Sequence, residues 1–246
     1  MIKLIHGDCL EKLKDIRTQS IDLILTDPPY GTTQCKWDNT ISFEPLWKEL
    51  KRIIKDNGCI ALFGSEPFSS YLRMSNIDDF KYDWVWQKSK STNYLNSKKQ
   101  PLRNNEIISI FYKKQCSYFP QMEKGEPYDK GYALRNTDVY NKQKATLVKN
   151  VDGLRFPKSI IYFKTAESEG KIVHPTQKPV ALLEYLIKTY TNKNDTVLDF
   201  TMGSGSTGVA SKKLNRDFIG IELDKVYFDI ANERISHVED RYEDWN

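Results

Sequence analysis

Asp27-Pro28-Pro29-Tyr30 closes the apolar run Ile21-Asp22-Leu23-Ile24-Leu25. A β-rich run that stops at an acid and two prolines puts a carboxylate at the carboxyl end of a strand, where open α/β sheets present their ligands. The prolines fix φ and carry no N–H, so the turn is rigid and its carbonyls are left to accept hydrogen bonds. Tyr30 adds an aromatic face beside an acceptor-only carboxylate. The set suits a flat ring with an exocyclic amino group, as in adenine or cytosine. An ordinary strand-ending turn would use the same four residues, and the tetrapeptide alone leaves both readings open.

A second cluster lies far downstream. Thr196-Val197-Leu198-Asp199-Phe200 reads as a buried strand, followed by Thr201-Met202-Gly203-Ser204-Gly205-Ser206-Thr207-Gly208. The glycines permit close backbone approach, and the helix expected from Ser206 to Leu214 offers unpaired N–H groups at its start. Asp217-Phe218-Ile219-Gly220-Ile221-Glu222 is another strand ending in an acid, with Glu222 placed to accept from ribose hydroxyls. Strand, Gly-rich turn, helix, strand, acid is the nucleoside-binding half of a Rossmann-like sheet. Gly203, Gly205 and Gly208 also satisfy the dinucleotide spacing, so an NAD-dependent oxidoreductase stays in view.

Together these stretches resemble the amino-group DNA methyltransferases that use S-adenosylmethionine (AdoMet). That family has Asp/Asn/Ser-Pro-Pro-Tyr/Phe as its catalytic tetrapeptide and a cofactor loop close to Asp-Pro-Phe-x-Gly-Ser-Gly-Thr. The catalytic motif comes first here, as in the circularly permuted beta class. His6-Gly7-Asp8 resembles the family's adenine-binding acid, and Cys9 follows it. His174-Pro175-Thr176-Gln177-Lys178-Pro179 resembles the segment that caps the methionine end of AdoMet, and Arg103-Asn104-Asn105-Glu106 the start of the last strand of the catalytic half. The resemblance spans roughly residues 1–112 and 171–240. It departs from the family at Phe200-Thr201, where the aromatic sits one position early, and at Ser206, where Thr is usual.

The resemblance implies catalysis by Asp27, Pro28, Pro29 and Tyr30. It implies an AdoMet site drawn from Asp8, Cys9, Asp27, His174, Thr176, Lys178, Asp199, Phe200, Thr201, Gly203, Ser204, Gly205, Ser206, Thr207 and Glu222. An exocyclic amine is a poor nucleophile because its lone pair is delocalised into the ring. Asp27 and the Pro28 carbonyl would each accept one N–H and expose that lone pair, with Tyr30 stacked on a base flipped out of the duplex. The expected substrate is double-stranded DNA, with the adenine N6 amine favoured. Cytosine-N4 enzymes of this group usually carry Ser where Asp27 stands. A second copy of the chain and a cognate restriction endonuclease are further expected partners. RNA and protein-glutamine methyltransferases place the cofactor loop first. An oxidoreductase would leave Asp27 to Tyr30 unexplained, and a DNA-binding protein without activity would not keep an intact tetrapeptide and glycines.

Composition narrows the class. At 246 residues, 39% hydrophobic and 28% charged, the chain suits one sizeable α/β core plus a small insertion. No apolar run has the length of a membrane span, and the N-terminus has no signal-peptide pattern. Cys9, Cys35, Cys59 and Cys116 are widely spaced, which favours reduced thiols, a cytoplasmic location and no metal or disulfide framework. His6 and His237 read as ordinary polar positions. No Pro-Cys dipeptide occurs, so the nucleophile of a cytosine-C5 enzyme is missing. Residues 81–178 hold 19 Lys+Arg and 9 Asp+Glu against a whole-chain charge of +4, so a basic middle lies between acidic flanks. Trp84, Trp86, Tyr94, Tyr112, Tyr118, Phe119, Tyr128, Tyr132, Tyr140 and Phe156 are interleaved there, a mixture that suits phosphate contact with base stacking.

The periodicity predicts strands at 2–6, 21–25, 58–63, 82–87, 107–112, 196–200 and 217–222. It predicts helices at 8–16, 43–55, 66–75, 180–190, 206–214 and 225–238. The expected fold is therefore α/β: a doubly wound, mostly parallel seven-stranded Rossmann-like methyltransferase sheet with a small inserted target-recognition region. Residues 1–113 would form the catalytic half, 114–171 the insert and 172–246 the cofactor half. A loop at 31–39 is expected to be mobile over the site.

Overall fold

The computed structural model describes residues 1–31, 41–133, 145–170 and 172–239. The expected loop at 31–39 thus falls almost wholly outside the described residues, as do Cys35 and Arg135.

The chain runs β1 (Ile2–His6), α1 (Cys9–Lys12), β2 (Ile21–Thr26), α2 (Phe43–Ile53), β3 (Ile54–Gly64), α3 (Phe68–Ser75), β4 (Phe80–Thr92) and β5 (Arg103–Phe111). Four short strands follow: β6 (Glu123–Lys124), β7 (Tyr128–Ala133), β8 (Thr146–Asn150) and β9 (Leu154–Arg155). The chain then forms β10 (Ile160–Phe163), α4 (Val180–Tyr190), β11 (Thr196–Asp199), α5 (Ser206–Lys213), β12 (Asp217–Glu222) and α6 (Lys225–Ser236).

Residues Met1–Phe119 and Ser159–Asn246 make one compact unit and Pro120–Lys158 another. The large unit is built on an eight-stranded sheet ordered β1-β12-β11-β2-β3-β5-β4-β10. Every pairing is parallel except the two made by β5, with β3 and with β4. Alternation along β2 shows why both faces are covered. Leu23 and Leu25 pack with Leu183, Leu186, Val209 and Ala231 of α4, α5 and α6. Ile21 and Ile24 pack with Leu13, Leu46, Leu50 and Leu72 on the other face, under α2 and α3. A sheet buried on both faces needs such continuous apolar strands. The Glu169 carboxylate receives the first N–H groups of α4, from Val180 and Ala181, at 2.7 and 2.9 Å.

The sheet has eight strands where periodicity predicted seven. The extra one, β10, pairs in parallel with β4 and carries Ile161 at 5% exposure between the exposed Ile160 and Tyr162. Residues 159–170 therefore belong to the large unit, and the segment outside it is shorter than the expected 114–171. Residues 8–16 form one α-turn and a 3₁₀ turn rather than a continuous helix, and β3 begins at Ile54, where the helix was expected to continue. The small unit contains two antiparallel pairs, β6–β9 and β7–β8, where the sequence showed little pattern.

Candidate active site

The two acids that closed predicted strands sit side by side. Leu23 and Ile24 of β2 pair with Val197 and Leu198 of β11, so Asp27 and Asp199 emerge at the same sheet edge. The helix after β2 lies on one face and the helix after β11 on the other. This is the point where an open α/β sheet leaves a crevice at its carboxyl ends. A cavity of about 850 Å³ opens there. Such a volume suits a nucleoside-sized ligand.

Asp27, Pro28, Pro29 and Tyr30 line the cavity together with every expected cofactor residue except Gly205. Gly205 lies behind the residues that line the cavity. It has φ +77° at the start of α5, and a Cβ there would lie 2.8 Å from the Ala231 Cβ of α6. Its backbone conformation and the close approach of α6 both require glycine there. Gly203, with φ +50°, does border the cavity, opposite the His174 ring.

The cofactor loop is braced by its own acids. Asp199 is buried and accepts from Thr207 Oγ1 at 2.7 Å and Thr201 N at 3.2 Å. Burial raises its carboxyl to about 7 against those bonds. Glu222 accepts from Gly203 N and Asp224 N, both at 2.8 Å, and burial raises it too. Each acid thus shapes the loop as well as facing the cavity. Asp8 accepts from Glu11 N at 3.2 Å and so caps α1. Cys9 is buried, with its thiol pushed up to about 12 by burial and then by Asp8. Phe200 is 1% exposed and packs into the core, whereas the Thr201 hydroxyl donates to the Asp27 carbonyl at 3.1 Å. The displaced aromatic therefore forms floor, and Thr201 ties the cofactor loop to the catalytic turn.

His174 is buried, with its ring 4.2 Å from that of Tyr227 in an edge-on arrangement. Its Nδ1 accepts from Thr176 N at 3.2 Å. Burial, with the nearby Lys178 charge, lowers its pKa to about 4, so the ring is a neutral wall at neutral pH. Lys178 reaches further than a cofactor cap. Its ammonium bonds Asp27 Oδ2 and lies 3.4 Å from Glu106 Oε2. Tyr30 OH donates to Asp27 Oδ1, and the Tyr30 ring stacks on Phe68 at 5.0 Å. Burial and then Glu106 raise the Asp27 pKa, with Lys178 and Tyr30 pulling it back.

Sequence reasoning missed Phe68, Tyr227 and the linking role of Glu106. Phe68 and Tyr227 are apolar or aromatic helix positions that look like core. Glu106 was visible as the end of Arg103-Asn104-Asn105-Glu106, but its partner Lys178 lies 72 positions on. Among the described residues no group of three or more His, Cys, Asp or Glu could hold a metal. No helix among them is long and apolar enough to cross a membrane.

The donor set fits AdoMet. Asp8, Asp27, Asp199 and Glu222 suit a cationic ligand with ribose hydroxyls, beside the aromatic edges of His174 and Tyr227. Fold and site together define a nucleoside-binding α/β protein with a buried carboxylate in its cavity. A family model described as DNA methylase, for N6 and N4 amino-methyltransferases, matches residues 21–233, and the chain belongs to that family. It is an AdoMet-dependent amino-group DNA methyltransferase. It is 30% identical over 266 residues to the type II methyltransferase M.HinfI of Haemophilus influenzae, covering 96% of this chain and 68% of that protein. The crystal structure of the M1.HpyAVI–SAM complex is similar with a TM-score of 0.65 and 29% identity, covering 96% of this chain and 99% of that one. The cytosine-N4-specific PvuII DNA methyltransferase shares the fold with a TM-score of 0.64 at 18% identity, covering 95% of this chain and 86% of that one.

Proposed function

We propose that this chain methylates the N6 amine of adenine, flipped out of double-stranded DNA. The observation that carries the choice of adenine is the carboxylate at position 27, where cytosine-N4 members resembling this chain usually have Ser. AdoMet, when bound, supplies an electrophilic methyl group on a sulfonium. The protein's own task is to hold the amine. Asp27 accepts one N–H and draws the lone pair out of the ring, and the rigid Pro28-Pro29 backbone keeps its carbonyl near the second N–H. Tyr30, backed by Phe68, offers an aromatic surface to the base.

Target reading is assigned to the small unit. Lys124, Lys130 and Lys158 are exposed there, as are Tyr132 and Phe156. Arg155, which the sequence suggests as a base reader, is held inside the unit: its guanidinium lies 4.8 Å from the Tyr128 ring and bonds the Glu126 carbonyl. A cognate restriction endonuclease and a second copy of the chain complete the proposed partners, the first supported by the type II relative.

Incubation with labelled AdoMet and random-sequence DNA, followed by nucleoside analysis, tests the reading. N6-methyladenine is expected and is lost in Asp27→Ala, whereas N4-methylcytosine would overturn the choice of base. Replacing 120–158 with the same segment of a relative should change the methylated sequence and leave AdoMet affinity unaltered. An unchanged sequence would move recognition elsewhere.

A further inference from the structure

The carboxylate that must receive the target amine is already engaged on both oxygens. Tyr30 donates to Asp27 Oδ1 and Lys178 to Oδ2. A carboxylate has about four acceptor sites, so entry of an amine is not blocked outright. Yet an ammonium bonded to the same oxygen withdraws the charge that makes Asp27 a strong acceptor. Next to it, Glu106 Oε2 is buried with no hydrogen-bond partner, at 3.4 Å from that ammonium. Its other oxygen is bonded by Lys88. The side chains of Lys178, Glu106 and Lys88 are only 9%, 14% and 13% exposed, so these charges lean chiefly on one another rather than on solvent. The Phe63 ring, 5.1 Å from Lys178 Nζ, offers a cation–π wall but no lone pair.

A buried carboxylate oxygen left without a hydrogen bond is costly, and native proteins retain few of them. Here that oxygen makes a long ion pair, at 3.4 Å, with the same cation that bonds Asp27, and the pair can shorten. We propose that Lys178 is a positioning residue that exchanges Asp27 for Glu106 when the target amine enters. Nζ closes onto Glu106 Oε2, and Asp27 Oδ2 is released to accept the amine N–H. The ammonium stays in the site throughout, so no net charge is moved into or out of the buried cluster. Burial opposes ionisation of Glu106, but Lys178 and Lys88 overcome it and hold the carboxyl below its ordinary range, ready as an anion. The proposal rests on the reading of Asp27 as the acceptor of an exocyclic amine.

Glu106→Gln keeps the size and removes the anion. With tritiated AdoMet and genomic DNA, kcat should fall about tenfold, the equivalent of about 1.4 kcal/mol, while the calorimetric AdoMet Kd stays unchanged. In a Lys178→Met background the same Glu106→Gln change should cost less than about twofold, because Glu106 acts only through Lys178. Equal costs in the two backgrounds overturn the proposal, as does native turnover in Glu106→Gln. A second readout needs no turnover: the Nζ resonance of Lys178, assigned by its loss in Lys178→Met. In protein saturated with S-adenosylhomocysteine, deoxyadenosine should move this signal, and thymidine, which has no exocyclic amine, should not. Glu106→Gln should abolish the deoxyadenosine shift. A signal that ignores deoxyadenosine at saturation, or answers thymidine equally, also overturns the proposal. If the native protein transferred no methyl group to any DNA, the underlying reading itself would fall. An active native enzyme with additive variants removes the exchange alone.

Discussion

Asp199→Asn separates the charge of this residue from its bracing of the cofactor loop. Burial raises the Asp199 carboxyl from its ordinary 3.8 to about 7, with hydrogen bonds from Thr207, Thr201 and Thr26 pulling the other way. A carboxyl whose folded pKa exceeds its unfolded value binds more protons in the folded state. Its contribution to stability is therefore largest at low pH and is lost as pH rises from 3.8 through about 7. At 1.36 kcal/mol per pH unit, the part lost between pH 5 and pH 8 is roughly 2.5 kcal/mol. Asp199 is 4% exposed, so solvent screening takes little from that figure. Asparagine has the same shape, can still accept from Thr201 N, and can donate to a Thr207 hydroxyl turned to receive it. It does not titrate. Urea unfolding at pH 5 and pH 8 should show the native protein losing roughly 2.5 kcal/mol more than Asp199→Asn over that interval. Groups that do not interact with Asp199 titrate alike in both proteins and cancel in the difference; Asp27, whose charge helps raise the Asp199 carboxyl, is the exception and belongs to the same measured change. If the native-minus-variant difference stays constant within about 0.5 kcal/mol from pH 5 to 8, Asp199 is ionised in the fold and the burial argument is wrong.

Tyr30→Phe keeps the stack on Phe68 but removes the donor to Asp27, so the Asp27 pKa rises further. The acid limb of kcat/KM should move to higher pH, and Tyr30→Ala should lower kcat/KM by a further two- to tenfold or so, the worth of an aromatic contact. An acid limb left where it was would argue against an ionised Asp27 as acceptor. Glu222→Ala removes the acceptor for Gly203 N and Asp224 N, and with it the acceptor proposed for ribose hydroxyls. Calorimetry should show AdoMet affinity reduced by about 1–3 kcal/mol and urea unfolding a lower midpoint; an unchanged midpoint would mean that the loop does not lean on Glu222. Gly205→Ala forces a side chain to φ +77° and against Ala231, at a cost of about 1–3 kcal/mol in unfolding free energy. Its folded fraction should bind AdoMet with native affinity, and a selective loss of binding would return Gly205 to the cofactor site.

Much of this site was legible because its parts are strand ends. Asp27, Asp199 and Glu222 each follow or end a continuous apolar run, the pattern of a strand buried on both faces, and the first acid marks where such a run must stop. Phe68 and Tyr227 were not legible, since an aromatic on a helix face reads the same whether it lines a ligand or a core. β10 was hidden for a different reason. It is an edge strand with one face in solvent, and its four residues sit inside a basic, weakly patterned stretch whose charge dominated the reading. The packing of Gly205 against α6 was not legible because a Gly-rich loop has two separate needs for glycine, and spacing does not distinguish approach to a ligand from approach to another helix.

The contacts around Asp27 explain how catalytic and cofactor motifs so far apart in sequence form one site. Thr26 Oγ1 accepts from Phe200 N at 3.2 Å, Thr201 Oγ1 donates to the Asp27 carbonyl, and Lys178 bonds the Asp27 carboxylate. Two of these bonds span 174 positions and one spans 151. The first two follow from the pairing of β2 with β11, which sets the two loops side by side whichever is synthesised first; Lys178 is brought in by α4, which it precedes and which packs on β2. A permuted order of motifs therefore costs the site nothing, provided the two strands remain neighbours. What cannot be exchanged is the identity of the residues at the seam. Thr26, Thr201 and Lys178 each come from one half and bond the other, so they should respond to mutation as catalytic-turn residues although only Lys178 carries a charge.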